Sequence, residues 1–89
     1  MTTKVVNKYK EGFDEYIGRG SLFGNPFKVG IDGNRKECIE KYEIYFHQRM
    51  KEDPFFSRKV RELKGKTLGC FCKPQPCHGD IIASFLEES

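Results

Sequence analysis

The segment LGCFCKPQPCHGDIIASFL, residues 68–86, constrains the fold most, because it joins a strand pattern to a helix pattern through a stiff, proline-containing turn. Residues 66–72 predict a strand whose alternating side chains place on one face Leu68, Cys70 and Cys72. From Cys77 or His78 onward, apolar residues at helical spacing predict a helix. A strand followed closely by a helix is typical of α/β domains.

The rest of the chain supports the same fold class. Residues 4–9 and 13–17 predict short strands, which either pair as a hairpin or flank another strand. A helix over about residues 35–50 follows a cap at Asp32 or Asn34, and a second helix, reaching about residue 63, starts at Asp53-Pro54. We therefore predict one α/β domain over residues 1–89, in two or three layers, with a short mixed sheet of about three strands and three helices.

Length and charge restrict the function. A chain of 89 residues buries only about 60 to 65% of its unfolded surface, so a ligand should lie in a shallow cleft formed by loops. The formal charge of +3 is spread among interleaved acids, which permits a nucleic-acid partner without favouring one. No segment has the length of a membrane span, and we predict a cytoplasmic protein with reduced cysteines.

Residues 70–78 concentrate three of the four cysteines and one of the two histidines. As a zinc site the set would be Cys70, Cys72, Cys77 and His78. The spacing opposes it, since residues two apart on a strand have Cβ atoms roughly 6.5 to 7 Å apart, whereas sulfurs on one zinc must lie within about 4 Å of each other. We predict no cofactor, with zinc as the alternative.

An anion or nucleotide-like ligand is a second interpretation of this segment. The backbone N–H groups at about residues 77–80 would be unpaired at the positive end of a helix, and Gly79 would permit close approach. The preceding strand ends at Cys72, and ligands of open α/β sheets bind beyond such ends. Asp80 would repel an anion unless it bonds a ribose hydroxyl or the histidine.

Nucleophilic catalysis is a third interpretation. A cysteine at a helix N-terminus beside a histidine has its thiolate favoured by the helix dipole and by an imidazolium. Cys77 or Cys72, with His78 as the base, would then be catalytic. The alternative is that both cysteines are small buried residues beneath the turn.

Residues 18–30 form a long loop with four glycines and one proline, and its apolar residues predict that it packs on the core. From this loop we predict Arg19, Gly24 and Asn25 at the same site, together with Arg35 from the next helix. Arg19 could instead form an ion pair with Asp80, Asn25 could be a turn residue, and Arg35 could be helix surface. Elsewhere, we expect Cys38 in the core and His47 on a helix surface.

Several motifs together resemble a family of short phage and bacterial proteins described as a domain of unknown function. The matching residues are YIGR at 16–19, GNPF at 24–27, Asp32-Gly33, Ile39-x-x-Tyr42 and LGCFCxPxPCHGD at 68–80. Many members have tryptophan where this chain has Phe23 and Phe71. The resemblance implies a phage or bacterial cytoplasm, which would be the host cytoplasm for a phage protein, and it implies no activity.

The leading hypothesis is a cleft between the glycine-rich loop and the Cys-His-Gly-Asp helix start that binds a phosphate-bearing or nucleotide-derived small molecule. It requires Arg19 and His78 to be neighbours around one pocket. The alternatives are a structural zinc module and a host-takeover protein acting through a protein or nucleic-acid interface, in which Arg58, Lys59 and Arg61 would matter. Turnover and oligomeric state stay open.

Overall fold

The computed structural model of the protein describes residues 2–70, 75 and 77–88. Among these residues the predicted α/β class, with three strands and three helices, is confirmed. In chain order the elements are β1 (Lys4–Asn7), β2 (Glu15–Tyr16), α1 (Arg35–Glu52), α2 (Pro54–Arg61), β3 (Thr67–Cys70) and α3 (His78–Glu88). Across the same part of the chain, no helix is long and apolar enough to cross a membrane.

The sheet has the order β1-β3-β2, and both strand pairings are parallel. The first two strands therefore flank β3 rather than form a hairpin, and the predicted mixture of strand directions is not found among the described strands. Because the three strands run in the same direction, their carboxyl ends meet at one edge of the sheet, at Asn7, Tyr16 and Cys70.

The connection between β1 and β2 is a short crossover formed by residues 8–14. Its first N–H, from Lys8, donates to the carbonyl of Cys70 at 2.8 Å, and its last, from Asp14, donates to the carbonyl of Thr67 at 2.8 Å. The crossover thus returns from the carboxyl end of β3 to its amino end. Parallel connections usually need a dozen or more residues, and so short a one suffices here because β2 has only two residues.

The crossover lies directly on the central strand at Gly69. A Cβ added to this glycine would lie 2.5 Å from Cγ of Phe13. Gly69 is therefore the residue that lets the crossover cover this face of β3, and it explains why a buried strand carries a glycine.

The helices pack on the opposite face of the sheet, which gives a two-layer arrangement. Val5 pairs with Leu68, so both side chains point to the same face, and a Cβ on Gly79 at the start of α3 would lie 3.0 Å from Val5 Cγ1. One apolar core joins this face to all three helices and includes Phe46, Phe56, Val60, Leu63, Leu68, Ile82 and Leu86.

Local capping explains where α1 and α2 begin. Asn34 accepts a hydrogen bond from the backbone N–H of Glu37 at 2.9 Å, and the Glu37 carboxylate accepts one from the N–H of Asn34 at 2.9 Å. Asp53 accepts from the N–H of Phe56 at 3.1 Å, and Pro54 follows it at the first helical position. The starting points predicted for these helices are therefore confirmed, with Asn34 rather than Asp32 as the first cap.

Candidate functional site

A cavity of about 390 Å³ lies at the carboxyl edge of the sheet. Its walls come from the glycine-rich loop of residues 18–30 and from Ile31. The first turns of α1, the end of β3 and the start of α3 complete them. Arg19 and His78, which we predicted to be neighbours around one pocket, both line it, as do Asn25, Arg35 and Cys77. The fold thus brings five of the predicted site residues to one place.

Three cationic residues line this cavity, Arg19, Lys28 and Arg35, and its described lining contains no Asp or Glu. Arg19 is exposed and Arg35 half-buried. The ion pairs recorded in residues 2–70 and 77–88 are Arg49–Asp53 and Lys59–Glu62, so the alternative pairing of Arg19 with Asp80 is not among them. This concentration of positive charge favours an anion.

The remaining lining is mostly apolar. Phe27 and Val29 come from the loop of residues 18–30, Ile31 directly follows that loop, and Ile39 comes from α1. Phe27 is half-buried, and its ring meets the ring of Tyr45 edge-on with centroids 6.2 Å apart. A cavity with an apolar wall and a few convergent polar groups is typical of small-molecule sites.

His78 is buried and links the start of α3 to the residue that follows β2. Its Nε2 lies 2.6 Å from the carbonyl oxygen of Ile17. Since a carbonyl can only accept, Nε2 carries the hydrogen, and in the neutral ring Nδ1 keeps the lone pair. Burial lowers the pKa of His78, and the positive charge of Arg19 acts in the same direction, although the hydrogen bond to Ile17 opposes them.

Cys70 and Cys77 form a buried pair of thiols on the floor of the cavity, with sulfurs 3.2 Å apart. The hydrogen bond with Cys70, then burial and the negative charge of Asp80, raise the pKa of Cys77 far above its ordinary value of 9.0. The thiol is therefore favoured over the thiolate. This environment opposes the activation that the third interpretation requires if Cys77 is the nucleophile.

Two N–H groups at the start of α3 already have hydrogen-bond partners in neighbouring residues. The N–H of Cys77 donates to Asp80 Oδ2 at 3.1 Å, and the N–H of Asp80 donates to the Cys77 carbonyl at 3.0 Å. The expectation of unpaired N–H groups at 77–80 is therefore wrong at Cys77 and Asp80. An anion in the cavity would be held by the cationic side chains instead.

Two predicted ligand-binding glycines serve packing rather than the cavity. A Cβ on Gly79 would lie 2.7 Å from Ile17 Cδ1, and one on Gly24 would lie 2.8 Å from the carbonyl oxygen of Gly18. Neither glycine lines the cavity, and Asp80 does not line it either. Gly79 sets the distance between α3 and the sheet, and Gly24 sets the distance between two parts of the long loop.

Asn25 has the turn role that we considered for it and also lines the cavity. Its side-chain oxygen accepts a hydrogen bond from the N–H of Phe27 at 2.9 Å, and its Nδ2 donates to the Cys38 carbonyl at 3.3 Å. These bonds fix the glycine-rich segment to α1. Cys38 is buried as expected but also reaches the cavity, whereas His47 lies on the surface of α1 as predicted.

Cys72 lies outside the described residues, so its predicted roles as ligand-binding residue and as metal ligand stay predictions. In the part of the chain that is described, no three His, Cys, Asp or Glu side chains are grouped to hold a metal ion. The zinc alternative depends on Cys72 for a third sulfur and likewise stays a prediction.

Sequence reasoning missed several residues of the cavity, namely Lys28, Val29, Ile31 and Ile39. The apolar residues of the glycine-rich segment were noticed only as a sign that the loop packs on the core. The usable signal was a lysine between apolar residues in a loop that follows a strand end.

Comparisons with known proteins agree with the motifs. A family model described as Domain of unknown function (DUF4326) matches residues 2–88. The chain is also similar to the "Uncharacterized 12.4 kDa protein in nrdA-td intergenic region" of Enterobacteria phage T4, with 48% identity over 84 residues that cover 93% of this chain and 76% of the phage protein. No solved structure matches the chain. The predicted resemblance to a phage and bacterial family is confirmed.

Proposed function

The chain belongs to the family described as Domain of unknown function (DUF4326), and we propose that it binds a phosphate-bearing or nucleotide-derived small molecule in the cavity at the carboxyl edge of the sheet. The observation that carries this proposal is the grouping of Arg19, Lys28 and Arg35 in a described lining that contains no carboxylate. Guanidinium groups bind phosphate in bidentate fashion, and lysine binds it as a point charge.

The position and size of the cavity support the same proposal. Ligands of open parallel sheets bind outside the carboxyl ends of the strands, where this cavity lies. Its volume of about 390 Å³ is near the lower end of the range of small-molecule sites.

The chemistry of the buried thiol pair favours binding of the ligand over its enzymatic conversion. The hydrogen bond with Cys70 and burial raise the pKa of Cys77, so its thiol is a poor nucleophile. The protein would then sequester its ligand. We place this activity in the bacterial cytoplasm, which is the host cytoplasm where the protein is phage-encoded.

Calorimetric titration with inorganic phosphate and with AMP tests the proposal. The wild-type protein should bind AMP, and the Arg19→Gln/Arg35→Gln variant should bind it at least tenfold more weakly, because charge-assisted hydrogen bonds to phosphate contribute about 1.5 to 3 kcal/mol each. The matched control is Arg58→Gln, which removes an exposed arginine of α2 outside the cavity. This control should leave the affinity unchanged.

The proposal is wrong if no phosphate compound binds to the wild-type protein at millimolar concentration. It is also wrong if Arg58→Gln weakens binding as much as the double variant does, since that result would assign the effect to net charge.

The affinity for AMP should fall as salt rises, because the three cations are accessible to solvent ions.

A further inference from the structure

We infer that the ligand carries a planar ring as well as a phosphate, as a nucleoside monophosphate does, and that the turn of residues 28–33 holds this ring. The inference rests on the proposed function and names its ligand class. Its basis is the apolar part of the cavity lining, because binding of a phosphate group alone would not use these side chains.

The turn is rigid. The N–H of Gly30 donates to the Gly33 carbonyl at 2.8 Å, the N–H of Asp32 donates to the Lys28 carbonyl at 2.8 Å, and the N–H of Lys28 donates to the Asp32 carboxylate at 2.8 Å. The Lys41 side chain of α1 donates to the Asp32 carbonyl at 2.6 Å. The backbone of the turn is therefore held by bonds within the chain, and a preorganised backbone lowers the entropy lost when a ligand binds.

Two β-branched side chains on this turn are exposed at the cavity. Val29 is 56% exposed and Ile31 is 77% exposed, and both line the cavity together with the half-buried ring of Phe27. A flat ring whose phosphate is held by Arg19 and Arg35 would cover them and remove apolar surface from water.

The chemistry of these contacts also sets the selectivity. The side chains of Phe27, Val29 and Ile31 carry no hydrogen-bond donor or acceptor, so they recognise the face of a ring and not its edge. Strong discrimination between bases requires hydrogen bonds to polar groups of the base. We expect a preference for a ring over no ring, with little preference among bases.

Calorimetric titration of the full chain with AMP, GMP, CMP and UMP, each compared with ribose 5-phosphate, tests this inference. All four nucleotides should bind about tenfold more tightly than ribose 5-phosphate, which is the effect of covering one or two aliphatic side chains. The Val29→Ser/Ile31→Ser variant should bring the nucleotides close to ribose 5-phosphate and leave the affinity for ribose 5-phosphate unchanged.

The matched control is Ile44→Ser, because Ile44 is 70% exposed on α1 and does not line the cavity. This variant should keep the nucleotide preference. Equal affinity for ribose 5-phosphate and for the nucleotides, or a preference that survives Val29→Ser/Ile31→Ser, overturns the inference and leaves the proposed function standing. Absence of binding by every phosphate compound overturns both.

Discussion

Nε2 of His78 donates a hydrogen bond of 2.6 Å to the carbonyl oxygen of Ile17, joining residues 61 positions apart in the chain. Ile17 directly follows β2 and is fully buried, and His78 is the first residue of α3. Arg19 lies two residues beyond Ile17. This one bond therefore holds the loop that carries Arg19 against the start of α3, next to Cys77 of the thiol pair.

Replacing His78 with alanine should lower the free energy of unfolding by about 2 kcal/mol or more, because a buried carbonyl loses its donor and the ring leaves a cavity. His78→Gln retains an N–H donor and should lose less. Urea denaturation measures both values. Equal destabilisation by the two variants would assign the effect to lost packing against Tyr42, whose ring lies 5.1 Å from the imidazole, and not to the hydrogen bond.

The same histidine should make stability depend on pH. Burial lowers the pKa of His78 in the folded chain below its ordinary value of 6.5, so in mildly acidic solution the unfolded chain binds a proton that the folded chain does not. Stability should fall as pH drops from about 6.5 towards the folded pKa, and should be flat above that range. Thermal unfolding between pH 5 and 8 checks this, with His78→Gln as the control whose curve lacks this slope.

The contact between Phe13 and Gly69 predicts a coupled pair of substitutions. Gly69→Ala places a Cβ 2.5 Å from Cγ of the Phe13 ring, and Cγ is close to the backbone and cannot move far. We expect a destabilisation of about 1 to 3 kcal/mol, as for other overpacked sites. In a Phe13→Ala background the same change should be much less harmful, and a double-mutant cycle measures the difference. Additive effects would show that the strand needs glycine for another reason.

Features set by neighbouring residues were predictable from the sequence. The starts of α1 and α2 follow from Asn34 and Asp53, whose caps use residues three positions away. β2 was predicted over residues 13–17 and has only two residues, because Phe13 belongs to the crossover and packs on Gly69. That contact depends on a residue far along the chain and leaves no local pattern.

The candidate site likewise has some features that the sequence predicts and others that it does not. Its location followed from strand ends and an irregular loop, and both are visible in sequence. The occupied start of α3 was not predictable, because Asp80 could point either to a ligand or back to the N–H of Cys77. Lys28 was missed because a lysine in a glycine-rich loop has no periodicity that assigns it to one side.

The thiol pair gives the last prediction. Because Cys77 is buried and its pKa is raised chiefly by the hydrogen bond with Cys70, iodoacetamide should modify Cys77 at least a hundredfold more slowly in the native protein than in urea. Peptide mapping by mass spectrometry follows Cys77 separately from the other cysteines. Cys70→Ala removes the main cause of the raised pKa, and Cys77 should then react faster than in the wild type, with circular dichroism as the check on folding. Rapid alkylation of native Cys77 would instead mean that its thiolate is accessible, and would restore the nucleophile hypothesis for this cavity.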